Sequence, residues 1–287
     1  MQRNSPGQYR IGLLHPGNMG ACVAATLLNS GHLLYWVSEN RSSDTRRRAT
    51  QLGMQDLPAL EDLCSEAEVI FSVCPPHAAE HVCDEVIRLG YRGTYVDANA
   101  VSPQRCVRMA ERVEAAGAVF VDGGIIGLPT VKRGETWMHL SGGRAGDIAA
   151  LFSAGPMETS VVGPDPGQAS ALKMCYAAYR KGTTALIAAV MAAAEALQVR
   201  GHLEQQWQAH WPGFVEESHS RVTSVTAKAW RFTAEMQEIA ATFEYAGQPG
   251  GFHKAAEQVY ERMACFRDAA VQPSLDEVLG TLSHPDH

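Results

Sequence analysis

Apolar and polar residues follow two different rhythms along this chain, and the point where the rhythm changes divides it. The first half alternates short apolar runs with helical stretches. An apolar run over 9–14 enters a glycine-rich turn, His15-Pro16-Gly17-Asn18-Met19-Gly20, and an alanine-rich helical pattern over 21–28 leaves it. Ser30-Gly31-His32 ends that helix, 33–37 reads as a strand, and 38–44 as a polar loop. Glu61-Asp62 open a short helix, 68–74 is a strongly apolar strand stopped by Pro75-Pro76, and a helical pattern covers 77–89. A strand over 93–97, a helix opened by Ser102-Pro103 and a strand over 118–122 come next. A further strand (136–140), helix (146–152) and strand (159–162) complete the series. Strands alternating with helices at this spacing form βαβ units and a parallel sheet.

Beyond Pro164-Asp165-Pro166-Gly167 the alternation stops. Residues 168–199 hold no proline and one glycine, are dense in alanine, leucine and methionine, and predict one long, largely buried helix. The remainder of the chain reads as helical, broken at Gly201, at Trp211-Pro212-Gly213 and at 247–251, with a short helix and a frayed end after Pro273. The expected fold is an α/β domain over 1–165, a doubly wound, mostly parallel sheet of Rossmann type, followed by an all-α domain over 166–287.

The opening turn carries chemistry. A pyrophosphate must approach the backbone closely, and the N–H groups of a helix N-terminus receive its charge. Gly17 removes a side chain from that approach, and Gly20 lets the helix pack on the strand. His15 stands where the usual G-x-G-x-x-G has its first glycine. Pro16 holds its own φ and is expected to push His15 towards an extended conformation, closing the turn without that glycine. In such sheets ligands lie beyond the carboxyl ends of the strands. Those ends are the Gly17 loop, 38–42, Cys74-Pro75-Pro76, Asp97-Ala98-Asn99 and Asp122-Gly123-Gly124.

Composition narrows the classes. A formal charge of −7, with one short basic cluster at Arg46-Arg47-Arg48, argues against a nucleic-acid binder. Seven scattered cysteines without C-x-x-C spacing read as reduced thiols, and 11 histidines without ligand-like spacing imply no metal. The first nine residues carry no signal-peptide core, and no apolar run approaches the roughly 20 residues that span a membrane. A soluble, cytoplasmic protein is expected.

Four segments in order resemble the β-hydroxyacid dehydrogenase family, relatives of phosphogluconate dehydrogenase. Residues 12–20 are similar to its G-x-I-G-x-G-x-M-G, and 96–103 (Val-Asp-Ala-Asn-Ala-Val-Ser-Pro) to its D-x-S-T-x-x-P segment near the nicotinamide. Residues 121–127 stand at its substrate-binding D-A-P-V-S-G-G, and 167–173 match the run ending in its catalytic lysine. The departures are informative. Ile126 replaces the family serine, Gly124 its proline, and Ala177 the asparagine four residues after the lysine. Residues 122–129 and Leu140-Ser141-Gly142 also resemble imine reductases, which carry Asp or Tyr where Lys173 stands here.

The resemblance implies an NAD(P)-dependent oxidoreductase moving a hydride to or from a small polar substrate, a β-hydroxyacid, oxoacid or related carbonyl compound, in an interdomain cleft. Lys173 is the acid/base, because an ammonium stabilises and protonates the oxygen left when hydride reaches carbon. Tyr176, three residues on, shares its helical face. The cofactor residues are His15, Pro16, Gly17, Asn18, Met19, Ser38, Arg41, Ser42, Cys74, Pro75 and Asn99. Glu39 has the spacing of an acid that binds a ribose diol and favours NAD(H). Ser38, Arg41 and Ser42 suit a 2′-phosphate, and NADP(H) is favoured. Substrate contacts are assigned to Asp122, Gly123 and Gly124, and, by the family pattern, to Trp230, Glu235 and His253. Glu235 stands near the family's lysine–aspartate pair, where an acid repels carboxylates and attracts an amine or iminium. Imine reduction or reductive amination is therefore the second reading, and a non-catalytic NADP sensor the third. The long apolar helix is expected to pair with a second copy in a homodimer.

Overall fold

The computed structural model describes residues 7–129 and 132–283. The start of the chain, residues 1–6, and the end after 283 expected to fray lie outside the described residues. Two compact units divide it, Met1–Lys173 and Met174–His287.

In the first unit the elements run β1 (Arg10–Leu14), α1 (Asn18–Asn29), β2 (Leu33–Val37), α2 (Ser43–Leu52), β3 (Gln55–Leu57) and α3 (Leu60–Glu66). They continue as β4 (Val69–Ser72), α4 (Ala79–Arg88), β5 (Thr94–Asp97), α5 (Pro103–Ala115) and β6 (Val119–Gly127). The last are β7 (Thr136–Ser141), α6 (Ala145–Ala150), β8 (Met157–Gly163) and the start of α7 (Gln168–Ala177). The strands form one sheet in the order β3-β2-β1-β4-β5-β6-β7-β8, parallel except between β6 and β7. The run from β3 to β6 is the Rossmann order. Alternate strand residues feed two cores. Ile11, Leu13, Phe71, Val96 and Val121 pack on the face of α1 and α6, and Leu14, Ile70, Tyr95 and Phe120 on the face of α3, α4 and α5. Burial on both faces explains why these strands read as continuous apolar runs.

Three elements differ from the sequence reading. Helix α2 occupies residues placed beyond a polar loop. Only Ala49 of its ten residues is buried, so no apolar stripe marks it, and Ser42 caps it by accepting from Thr45 N at 3.3 Å. β3 is a three-residue edge strand without a fully buried side chain. β6 does not end at Asp122 but continues through both glycines to Gly127, because β7 doubles back and pairs with residues 122–127.

The turn after β1 also corrects an expectation. His15 is not extended: its φ is +67°, the left-handed conformation that the absent glycine would adopt freely. Its carbonyl accepts from Gly17 N at 2.7 Å, and a Cβ on Gly20 would fall 2.7 Å from that same oxygen. Pro16 therefore does not relieve the turn; His15 accepts the strain, and Gly20 makes room for its carbonyl.

The second unit is helical: the rest of α7, then α8 (Thr183–Ala196), α9 (Arg200–His210), α10 (Phe214–Ser224), α11 (Ala229–Tyr245), α12 (Gly251–Met263) and α13 (Leu275–Ser283). The single helix expected over 168–199 is interrupted by a π-helical turn, Ala178–Gly182, and stops at Ala196. Carbonyls in that turn find other donors: Tyr260 Oη donates to Lys181 O at 2.8 Å and Arg221 to Arg180 O at 3.5 Å.

Two features of the first unit lend themselves to stability measurements. At a left-handed residue glycine outperforms alanine, so His15→Gly is expected to unfold at higher denaturant than His15→Ala, by about 1 kcal/mol. Equal midpoints would contradict the left-handed turn. Asp97 and Asp122 lie side by side on β5 and β6, both fully buried. Burial first, then the charge of Asp122, raises the Asp97 carboxyl to about 7. A carboxyl raised on folding contributes stability that is full below its unfolded value and is lost as pH climbs through 7. Asp97→Asn is expected to flatten stability between pH 5 and pH 8 and to raise it at pH 8 by on the order of 1 kcal/mol, read by denaturant titration. An unchanged pH slope would contradict it.

Candidate functional site

At the amino end of α1 the residues leave an anion cradle. The N-cap is Gly17, no side chain caps the helix, and no acid stands in its first turn. A Cβ on Gly17 would meet nothing closer than His15 O at 4.0 Å, so the approach to the helix N–H groups is open. Asn18 is exposed, Met19 packs against the core, and Pro16 is buried beneath the turn. These features fit a pyrophosphate. His15 adds no positive charge. Burial first, then the nearby Arg41 cation, lower its imidazole to about 4, and its Nδ1 has no partner.

The β2–α2 connection offers the second anion contact. Arg41 is half-buried, burial lowers its pKa, and its Nε is unpartnered. A desolvated guanidinium with an unused donor fits a phosphate. Ser42 is engaged as the α2 cap, Ser38 N donates to Asp56 Oδ1 at 2.9 Å, and Glu39 is exposed. Arg48, which the sequence shows only as the end of a short basic cluster, belongs here as well. Its Nε donates to Pro16 O at 3.4 Å and Nη2 to Thr45 Oγ1 at 3.1 Å, tying α2 to the glycine turn. Only folding brings Pro16 beside it, so the sequence carried no signal.

At the ends of β4 and β5, Asn99 is 3% exposed and works within the protein. Its Oδ1 accepts from Cys74 N at 2.5 Å, and its Nδ2 donates to Ser72 Oγ at 3.0 Å and Asp97 Oδ1 at 2.6 Å. The expected nicotinamide contact is thus a brace between two strand ends. Burial, then Asp97, pushes the Cys74 thiol up to about 12, so it is no nucleophile. Pro75 precedes a short 3-10 turn, Pro76–Ala78, and shapes the wall there.

Asp122 is another correction. It is fully buried, and its carboxylate holds the start of α7 instead of meeting substrate. Oδ2 accepts from Gly167 N and Ser170 N, both at 2.9 Å, and from Ser141 Oγ at 3.0 Å, while Oδ1 accepts from Ser170 Oγ at 2.7 Å. A carboxylate at a helix N-terminus is favoured by the helix dipole. Gly123 and Gly124 do not end a strand. A Cβ on Gly123 would press on β5 at Asp97 O (3.1 Å), and one on Gly124 would lie 2.6 Å from Ala169 O and 3.1 Å from Lys173 Cβ. Gly124 is small so that α7 can lie on β6. Lys173, half-buried, consequently reaches the strand, and its Nζ donates to Ile125 O at 2.6 Å. Tyr176 is exposed on the next turn.

In the helical unit the expected contacts are engaged with neighbours. Glu235 is ion-paired with Lys181, whose Nζ lies 4.3 Å over the Phe232 ring, so it is not the uncompensated acid expected. Trp230 is covered by the Arg267 guanidinium at 3.9 Å. His253 is buried, packed edge-on against Phe243 at 4.5 Å and beside Gly182, and burial lowers its pKa. Among the described residues no group of three His, Cys, Asp or Glu could hold a metal, and no helix is long and apolar enough to cross a membrane.

Comparison with known proteins places this geometry. Residues 10–153 match the family described as the NAD binding domain of 6-phosphogluconate dehydrogenase, and residues 194–263 a domain of unknown function (DUF1932). An uncharacterised 28.5 kDa protein of Methanothermus fervidus is 30% identical over 232 residues, covering 80% of this chain and 89% of that protein. The 3-hydroxyisobutyrate dehydrogenase of Pseudomonas aeruginosa is 28% identical over 152 residues, 48% of each. The solved 3-hydroxyisobutyrate dehydrogenase of Mycobacterium tuberculosis shares the fold at TM-score 0.70 and 17% identity, covering 96% of this chain and 100% of that one. The imine reductase of Streptomyces aurantiacus does so at TM-score 0.53 and 18% identity, with the same coverage. With its uncapped glycine turn, its Rossmann strand order and these matches, the chain belongs to the family of the 6-phosphogluconate dehydrogenase NAD-binding domain.

Proposed function

We propose that this chain is a cytoplasmic, NADP(H)-dependent oxidoreductase that interconverts a small β-hydroxyacid, or a related alcohol, and its carbonyl compound, with Lys173 as acid/base. Residues 1–165 hold the cofactor, and 166–287 form the substrate and dimer domain. The observation that carries the reading is the Lys173 ammonium, positioned on β6 by its 2.6 Å bond to Ile125 O. The Gly17 turn and Arg41 hold the cofactor's phosphates, and the nicotinamide supplies or accepts the hydride when bound. As carbon gains hydride, the carbonyl oxygen gains charge, and Lys173 stabilises it and donates a proton. Arg41, desolvated with an unused donor, supports NADP over NAD, whereas Glu39 is exposed.

Imine reduction is the second reading, supported by residues 122–129; the Lys181–Glu235 pair removes the free acid that would have favoured an amine. A cofactor sensor without turnover has no use for Lys173. A homodimer is part of the proposal. Leu172 and Tyr176 on α7 and Leu186 and Val190 on α8, each pair four residues apart, are exposed, as are Tyr179 in the π-helical turn between the two helices and Leu197 just after α8.

NADPH oxidation is to be followed with a panel of 3-oxoacids, aldehydes and cyclic imines. Turnover of an oxoacid or aldehyde is expected, and turnover of cyclic imines alone would transfer the protein to the second reading. Lys173→Met is expected to lower kcat by about 100-fold or more while leaving NADPH affinity in place. Arg41→Ala is expected to weaken NADPH binding about 10-fold and NADH binding hardly at all, read by fluorescence titration. A wild type that prefers NADH would overturn the cofactor assignment.

A further inference from the structure

His139 stands apart from every residue assigned above. Ser141, His139 and Trp137 share one face of β7, and Ser141 shows that α7 lies on that face: its Oγ donates to Asp122 and accepts from Ala169 N at 3.0 Å. One step along, His139 is directly opposite Gly124, the residue on which the Lys173 stem packs. Opposed residues on neighbouring strands hold their Cβ positions about 5 Å apart. His139 is therefore the next side chain from Lys173 across an empty glycine site.

The ring is oriented from two sides. Its Nδ1 lies 2.7 Å from Ser160 Oγ, on the residue paired with it across to β8, and the Trp137 ring stacks on it at 6.1 Å and 9°. Nε2 has no protein partner among the described residues. Burial and then the Lys173 charge lower the imidazole's pKa, so it is neutral at neutral pH. Among the described residues on this side, Glu158, opposite Trp137, pairs with Arg133, and Asp122 holds α7.

We propose that His139, oriented by Ser160, returns to Lys173 the proton that the lysine donates in each turnover. The inference rests on the reading of Lys173 as acid/base. On reduction, a bound nicotinamide would supply the hydride for the new C–H bond, and the carbonyl π pair moves to oxygen. One N–H bond of the Lys173 ammonium breaks as the alcohol O–H forms, leaving a neutral amine. His139 takes a proton from solvent at Nε2 and passes it to that amine, ending neutral. The net uptake is one hydride and one solvent proton per carbonyl, and oxidation runs the same steps backwards. His139 acts through Lys173 and is a positioning residue for the proton.

Two measurements test it on the full chain. The first needs no substrate: His139 is titrated by NMR, assigned through loss of its signal in His139→Gln. Lys173→Met is expected to raise its pKa, and an unmoved titration would overturn the inference by placing the two groups out of reach. The second uses the carbonyl compound that wild type turns over. His139→Gln is expected to lower kcat about 10- to 100-fold with KM within about 2-fold and to shift the kcat–pH profile. His139→Ala is expected to recover turnover when imidazole is added. A wild-type kcat and pH profile in His139→Gln would overturn the relay while leaving Lys173 in place. Absence of any carbonyl turnover by wild type would instead overturn the reading of Lys173, and the relay with it, whatever the NMR titration shows.

Discussion

The buried carboxylate of Asp122 holds the first unit's chemistry in place. Four donors converge on it, two of them backbone N–H groups at the start of α7 and two of them serine hydroxyls. Removing such an acceptor would strand every donor in a fully buried site, which makes the arrangement far stiffer than any single bond in it. Because the α7 terminus is anchored to β6 here, the helix must lie along β6, and Gly124 supplies the gap it needs. Lys173 then arrives one turn later at a set height above the strand. The position of the lysine is a consequence of the carboxylate two residues before the glycine.

The same carboxylate adds to the effect of burial on its neighbour. Asp97 lies directly across the register, with one oxygen served by Asn99 and the other without a partner. Two adjacent buried carboxylates do not both ionise cheaply. Burial first, then the charge of Asp122, raises the Asp97 carboxyl. Asn99 in turn uses its remaining atoms on Cys74 N and Ser72, and the ends of β4 and β5 are joined. The strand ends that border the cofactor side are rigid because the polar residues there bond to one another.

These contacts explain why some features were legible in the sequence and others were not. The alternating elements and the glycine turn could be read, because periodicity and turn chemistry are local properties. Helix α2 was hidden because it buries a single alanine, and the extension of β6 because a strand continuing through two glycines depends on the partner that folds back on it. Asp122, Gly123, Gly124 and Asn99 stand out in the sequence as unusual at strand ends. Their roles could not be read there because their partners (Ser141, Ser170, Ala169 and Ser72) lie on other segments. Arg48 and His139 gave no signal, since each acquires meaning only from a residue brought beside it by folding. His15 was visible as an anomaly, but its direction of strain was not: Pro16 argues for extension, whereas the tight turn onto Gly20 imposes the opposite hand.

Charge in the helical unit bears on which chemistry the protein favours. An isolated Glu235 would have been a reason to prefer cationic substrates. Instead it is matched by Lys181, and the ammonium is further shielded by Phe232 while Tyr260 binds the same lysine's carbonyl in the π turn. A half-buried pair of this kind presents a dipole in place of a net charge, and neither partner is released without leaving the other uncompensated. Selection by Glu235 against a carboxylate therefore loses its physical basis. The amine reading is left with the local likeness of residues 122–129, whose contacts in this chain include those with α7. Asp122 fastens α7, and Gly124 admits the helix that carries Lys173. The use of this segment to place Lys173 supports the proposed carbonyl chemistry over the amine reading.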